Sequence, residues 1–358
     1  MSNITLEKAK EALATVQDPD LKRDLVSLNM ARRIEILPND VVKFNLVLTT
    51  PACPLKTQIE DDCKAALKAA GASDVIIETT AEVRGFRGMG GKQPVQGVKN
   101  ILAVSSGKGG VGKSTVSVNL AISLAKTGAK VGILDADITG PNIPLMLGSK
   151  VQPGLSEDGK RMMPIEAHGL KYISMGLLVK DNEPVIWRGP MLHSAINQFL
   201  RDVAWGELDY LVIDLPPGTS DAQLTISQAV PIAGAVIVST PQEVALLDSK
   251  KGLMMFKQMN VPVLGLIENM SYFIAPDTGN SYDIFGSGGA KRVAAELDVE
   301  CLGQIPIEID LRIGGDTGVP LSISNPDSES AKCFADIAKK IAAKLSIQSA
   351  LEASAIEV

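Results

Sequence analysis

The run Gly107-Lys-Gly-Gly-Val-Gly-Lys-Ser-Thr115 has the residue types and spacing to hold a phosphate. It fits the pattern G-x-x-x-x-G-K-[ST]. It also follows an apolar run ending at Val104 and opens a stretch of helical character, which is the context that gives the pattern its meaning. Gly107, Gly109, Gly110 and Gly112 let backbone N–H groups around Val111 turn toward one anion. A helix opening near Lys113 adds its positive end. Lys113 supplies a point charge for β- and γ-phosphates. Ser114 offers a hydroxyl to Mg2+, and Thr115 closes the motif. Two more apolar runs end in acids: Ile133-Leu-Asp-Ala-Asp137 carries Asp135 and Asp137, and Tyr210-Leu-Val-Ile-Asp214 carries Asp214. Carboxylates at the C-terminal ends of parallel strands face the ligand crevice. Two such ends beside the strand end that carries the phosphate loop predict a nucleotide site.

The elements that must carry these residues are legible as a pattern. Short aliphatic runs at 101–104, 131–134, 172–175, 210–213, 235–238, 263–267 and 301–305 alternate with helical stretches. Near-continuous apolar strands separated by helices predict an α/β fold, a mostly parallel sheet with helices on both faces. A last helix over Ala331–Leu345 carries an apolar stripe and is expected to pack on that sheet. Before residue 83 the pattern differs. A helix over Leu6–Val16, strands at 34–36, 41–48 and 74–79, and a helix over Leu55–Ala70 make a small α+β unit. The expected division is therefore 1–82, a Gly-rich linker over 83–97, an α/β unit over 98–345 and a tail over 346–358.

Composition narrows the function classes. The chain has 358 residues, 35 basic and 41 acidic side chains, and a net charge of −6. Residues 1–98 carry 13 of each sign, so the acidic excess lies in the α/β part. An acidic chain is a poor candidate for broad nucleic-acid binding. No apolar run approaches the roughly 18 residues of a membrane span, and the N-terminus has no secretory h-region. The four cysteines make no disulfide framework, which points to a reducing, cytoplasmic setting.

Lys108, directly after the first loop glycine, resembles the deviant loop of the MinD/ParA/NifH class. In that class the extra lysine reaches a partner subunit's nucleotide, which implies a homodimer. The segment around Asp135 and Asp137 resembles switch I of the class. There Asp137 would position the attacking water and Asp135 would help hold the Mg2+ shell. Asp214 and Pro216-Pro-Gly218 resemble the Walker B strand and switch II, with Gly218 sensing the γ-phosphate. Asn269, in Glu268-Asn-Met270, stands where the class contacts adenine, and Pro306 would flank the base. Lys108, Lys113 and Asp137 are thus the expected catalytic residues.

The set GKGGVGKST, DADITGPN, DLPPGTSD, ENMSYF, YDIFGSGG and IPIEIDLRIGGDTGVP is similar to the Mrp/ApbC family of iron–sulfur cluster carriers. The first 82 residues, with DPDL and LTTPACPL, resemble a metal–sulfur cluster assembly domain. The resemblance implies an ATP-binding, ATP-hydrolysing dimer that passes iron–sulfur clusters to apoproteins or works with cluster scaffold proteins. One feature departs from the pattern. Ala275 and Thr278 stand where the family places a Cys-Pro-x-Cys pair, and neither can ligate iron. That leaves a second reading, an ATP-switched scaffold without a bridging cluster. A third, a MinD/ParA-like positioning ATPase, lacks the basic amphipathic C-terminus of membrane targeting.

Cys53 is the remaining candidate iron–sulfur ligand. It sits just before a helix, where the positive end is expected to lower a thiol's pKa, and it is the functional cysteine of the resembled domain. Cys63, Cys301 and Cys333 read as core. His168 and His193 are assigned no chemistry. Trp187-Arg-Gly-Pro190, by resemblance, lies near a dimer face.

Overall fold

The computed structural model describes residues 4–88, 91–138, 140–149, 151–178 and 189–356. Trp187 and Arg188 lie outside them. The chain forms two compact units. One runs to Arg84 and takes in the chain again from Ala342; the other spans Gly85–Ile341.

In the first unit Thr5 caps α1 (Leu6–Ala14), its hydroxyl accepting from Lys8 N–H at 3.3 Å, and Ala9 and Leu13 turn inward. Two-residue strands β1 (Gln17–Asp18) and β2 (Arg23–Asp24) pair with each other. β3 (Ala31–Leu37) runs antiparallel to β4 (Val41–Leu48) through a tight turn in which Asn39 and Asp40 adopt φ of 61° and 57°. Asn and Asp tolerate that left-handed backbone. β4 alternates, burying Val42, Phe44 and Leu46. α2 (Lys56–Ala69) buries Ile59, Cys63 and Leu67, four residues apart, and leads to β5 (Asp74–Ala81), parallel to β4.

The second unit is built on a nine-stranded sheet. Its strands in chain order are β6 (Val98–Ser106), β7 (Val131–Asp135), β8 (Ile165–Ala167), β9 (Leu170–Ser174), β10 (Leu208–Asp214), β11 (Gly234–Ser239), β12 (Val263–Ile274), β13 (Ser281–Tyr282) and β14 (Cys301–Ile307). The seven aliphatic runs of the sequence are the seven parallel strands, ordered β9-β7-β10-β6-β11-β12-β14. Hairpins add β8 against β9 and β13 against β12, both antiparallel.

Helices cover both faces, as the continuous apolar character of the strands requires. Ile101 and Ala103 join a core with Phe199 and Leu200 of α5 (Gly189–Arg201), Ile226 of α6 (Asp221–Ala229), Phe256 of α7 (Glu243–Gln258) and Val293 of α8 (Gly289–Glu296). Leu102 and Val104, on the opposite pleat, face the other side, where α3 (Lys113–Lys126) lies. Short helices α4 (Ile143–Met146) and α9 (Ile309–Thr317) follow β7 and β14, and α10 (Leu321–Ser324) follows α9.

Two expectations are corrected. The segment expected as a free linker is strapped onto the second unit from Gly85 on. Arg201 forks onto the carbonyls of Pro94 (2.7 Å) and Gln93 (3.0 Å), Lys92 donates to Ser227 O (2.7 Å), and Val95 is buried. A planar guanidinium satisfies several carbonyls at once, so glycine-rich chain can be held without secondary structure. The expected tail is also not a tail. α11 (Glu329–Ile356) runs as one helix through this segment, burying Phe334, Ile341, Leu345 and Ser349.

Candidate nucleotide site

The loop after β6 turns into α3 at Gly112, whose φ of 82° is left-handed. A Cβ there would collide with the Asn269 amide, and one on Gly107 would collide with the backbone of Asp248 and Ser249 in α7. Gly109 and Gly110 are exposed. Ser106 Oγ donates to Lys108 O at 3.0 Å, and Asn269 Nδ2 donates to Val111 O at 2.9 Å. The loop is therefore packed against its neighbours at Gly107 and Gly112 and is open at Gly109 and Gly110.

Lys113, at the first position of α3, is buried, and its ammonium meets two acids. Nζ lies 2.9 Å from Asp214 Oδ2 and 3.6 Å from Asp137 Oδ2. Ser114 Oγ donates to the same Asp214 oxygen at 2.6 Å. Ser117 Oγ, one helical turn on, donates to Asp214 Oδ1 at 2.6 Å. Asp214 is fully buried, so these donors compensate a carboxylate that water cannot reach.

Asp135 is aligned with Asp214 across the β7–β10 pair and with Ser174 across β7–β9. Parallel strands in register place such side chains on one face, about 4.8 Å apart. Asp135 Oδ2 accepts from Ser174 Oγ (2.7 Å) and Ile143 N (3.3 Å), and Oδ1 from Asp137 N (3.2 Å). Burial, then the neighbouring Asp214, pushes its carboxyl up to about 8.

The remaining candidates fall around this centre. Lys108 is half-buried and makes no ion pair among the described residues. Thr115 accepts from Asn119 Nδ2 through its carbonyl at 2.9 Å. Pro306 is buried at the end of β14 and lines a cavity of about 450 Å3 with Phe273, Ile274 and Ile307. Two residues also brace the site. Gly218 N–H donates to Ser106 O at 2.8 Å, so it closes switch II onto β6. Asn269 spends its amide N–H on the loop carbonyl, leaving its buried Oδ1 without a hydrogen-bond partner.

Sequence reasoning missed Ser117, Ser174 and Gln223. Gln223 Nε2 donates to Pro216 O at 2.6 Å and to Ser105 Oγ at 3.2 Å, pinning the Pro-Pro turn. Ser117 was findable, because four residues after Lys113 places it on the same helical face.

Cys53 belongs to the other unit. It is partly exposed in the turn before α2, with its N–H donating to Thr50 O at 3.3 Å. The expected lowering of its pKa is overturned. Burial pushes the thiol up, the nearby Asp18 and Asp20 carboxylates push the same way, and the Leu55 N–H only partly opposes them. Ala275 and Thr278 lie in the tip joining β12 to β13, closed by Ala275 N–H to Asn280 O at 2.9 Å. Among the described residues no group of three or more His, Cys, Asp or Glu is placed to hold a metal ion. Nor is any helix among them long and apolar enough to cross a membrane.

With this geometry, residues 97–342 match the ParA family model described as NUBPL iron-transfer P-loop NTPase. The chain belongs to this family of P-loop NTPases. Residues 6–78 of this P-loop NTPase match a second model, described as iron-sulfur cluster assembly protein. An iron-sulfur cluster carrier protein of Synechocystis is 54% identical over 349 residues, covering 96% of this chain and 99% of that protein. The protein of the same description from Escherichia coli K12 is 45% identical over 334 residues, 93% and 90% of the two chains. Among solved structures, a nucleotide-binding protein of Archaeoglobus fulgidus in complex with ADP is 43% identical. Its TM-score is 0.56, and the match covers 63% of this chain and 88% of that one. The cell-division ATPase MinD of Pyrococcus furiosus, 24% identical with a TM-score of 0.51 over 68% of this chain and 98% of its own, shares the fold.

Proposed function

We propose that this P-loop NTPase is an ATP-hydrolysing homodimer that binds iron–sulfur clusters and delivers them to apoproteins. The convergence of Lys113, Ser114, Asp137 and Asp214 at the strand ends carries the ATPase half of this reading. The loop from Gly107 to Thr115 cradles the phosphates, with Lys113 and Lys108 as cations. Asp137 positions the attacking water, and Asp135 fixes the loop that carries it. The Asn269 Oδ1 is an orphaned acceptor that the amino group of adenine would satisfy, with Pro306 beside the base. Ser114 Oγ and Asp214 form a hard oxygen pair that suits Mg2+, which supplies charge to the phosphate oxygens.

The cluster half is supported by the carrier names of the relatives and by the Cys53-bearing unit. A cluster, as cargo, needs thiolates. One chain offers one partly exposed cysteine in that unit, and a dimer offers two. Unpaired cysteines fit a cytoplasmic setting.

The thiol-free tip at Ala275 and Thr278 favours a second reading, an ATP-switched scaffold that recruits cluster-assembly partners without holding a cluster. ATP-dependent partner capture that survives Cys53→Ser supports the scaffold; capture or cluster uptake lost in that variant supports the carrier. Phosphate release by the wild type and its loss in Lys113→Ala tests the ATPase. Equal turnover by the two would remove it.

A further inference from the structure

Ser174 is a buried hydroxyl at the end of β9, outside the phosphate loop and both switch segments. It completes a row across three neighbouring strands, Asp214 on β10, Asp135 on β7 and Ser174 on β9, all in register. Its hydroxyl has one proton and two lone pairs. Gly176 N–H donates to Ser174 Oγ at 3.0 Å, which occupies an acceptor site and directs the proton to Asp135 Oδ2, 2.7 Å away.

Asp135 is in turn the hub of the loop after β7. Its two oxygens hold the amides of Asp137 and Ile143, at 3.2 and 3.3 Å, and so close the chain between them. Asp137 in turn reaches Lys113, at 3.6 Å, beside Asp214. A second contact ties the same pieces together. A Cβ on Gly176 would sit 2.8 and 2.9 Å from the Pro141 ring, so the chain after β9 lies directly against this loop. The path Gly176–Ser174–Asp135–Asp137 is thus continuous and hydrogen-bonded, and buried from Ser174 to Asp137.

We propose that Ser174 is a positioning residue for hydrolysis. It fixes the Asp135 carboxyl group, which holds the loop that aims Asp137. This rests on the site being an ATPase centre. Letting a positioned catalytic group drift by about 1 Å can cost on the order of 100-fold in turnover. Ser174 touches neither the phosphate loop nor the base, so nucleotide binding is spared.

The test compares the full-length wild type with Ser174→Ala and Ser174→Thr. Expected for Ser174→Ala is a kcat lower by about tenfold or more, with KM for ATP and directly titrated ADP affinity within about twofold. Amide hydrogen exchange measured without nucleotide should speed up over residues 136–143 and stay unchanged in β10 and α3. Ser174→Thr, which keeps the hydroxyl, should restore slow exchange and turnover. Wild-type kcat together with unchanged exchange over 136–143 in Ser174→Ala overturns the proposal. So does a loss spread evenly over kcat, ADP affinity and exchange throughout the unit. A wild type that hydrolyses no ATP contradicts the ATPase reading instead, and the exchange comparison still decides the Ser174 link.

Discussion

Lys113 Nζ is held 2.9 Å from Asp214 Oδ2, and the Asp214 carboxylate is inaccessible to water. The lysine that would meet a phosphate is instead neutralised by the acid that would meet the metal. Asp137, 3.6 Å away, adds a second acid to the clamp. On the proposed reading, nucleotide binding would exchange partners: the ammonium would turn to phosphate as the carboxylate turned to a cation.

Removing the ammonium takes the ion-pair partner at 2.9 Å from the fully buried Asp214. Lys113→Ala should lose about 3 kcal/mol of stability in the nucleotide unit, since breaking a buried ion pair from one side costs about 3–5 kcal/mol. Denaturant melts followed by α/β-unit fluorescence check this. An unchanged midpoint would show that the clamp is not formed in solution.

The same exchange couples the two ligands. Chelating Mg2+ should weaken ATP binding by about tenfold, within the usual range of coupling between sites, and abolish hydrolysis. By linkage ATP raises Mg2+ affinity by the same factor. Calorimetric titrations with and without the metal measure it, and equal Kd values would contradict the exchange.

Gly112→Ala should be costly twice over. Its left-handed backbone strains any side chain, and the new methyl meets the Asn269 amide that holds Val111 O. A loss of about 1–3 kcal/mol in stability and weaker ADP binding are expected. Thermal melting and ADP titration report both, and a variant that binds ADP like the wild type would contradict the loop's dependence on Asn269.

Cys53 carries a raised pKa, so its thiolate fraction at neutral pH is below that of an ordinary thiol. Alkylation of Cys53, followed by peptide mass and compared with Cys53→Ser, should be slow at pH 7. It should still be climbing above the ordinary thiol pKa of about 8.5. A rate that levels off by pH 8 would mean that the helix end outweighs burial.

The parts legible in the sequence share a cause. The seven aliphatic runs could be read because a doubly covered parallel strand must be apolar throughout, and the phosphate loop because its glycines and lysine sit at fixed spacing. The Lys113–Asp214 pair joins residues 101 positions apart, and only the β6–β10 register brings them together. Ser174 was illegible for the same reason, since nothing near it in sequence marks it as a neighbour of Asp135. The Cys53 expectation failed because desolvation depends on what packs around the turn, which a helix-end rule does not contain. The Gly-rich strap misled because the Arg201 fork that binds it lies more than a hundred residues away.

Anaerobic reconstitution with iron and sulfide, followed by incubation with an apo-acceptor and ATP, tests most directly whether turnover at Lys113 drives delivery. A chain that carries and delivers clusters takes up iron and sulfide and activates the acceptor. Uptake falls in Cys53→Ser, and Lys113→Ala loads but delivers more slowly. Well-folded wild-type protein that binds neither iron nor sulfide, while still hydrolysing ATP, would contradict cluster carriage.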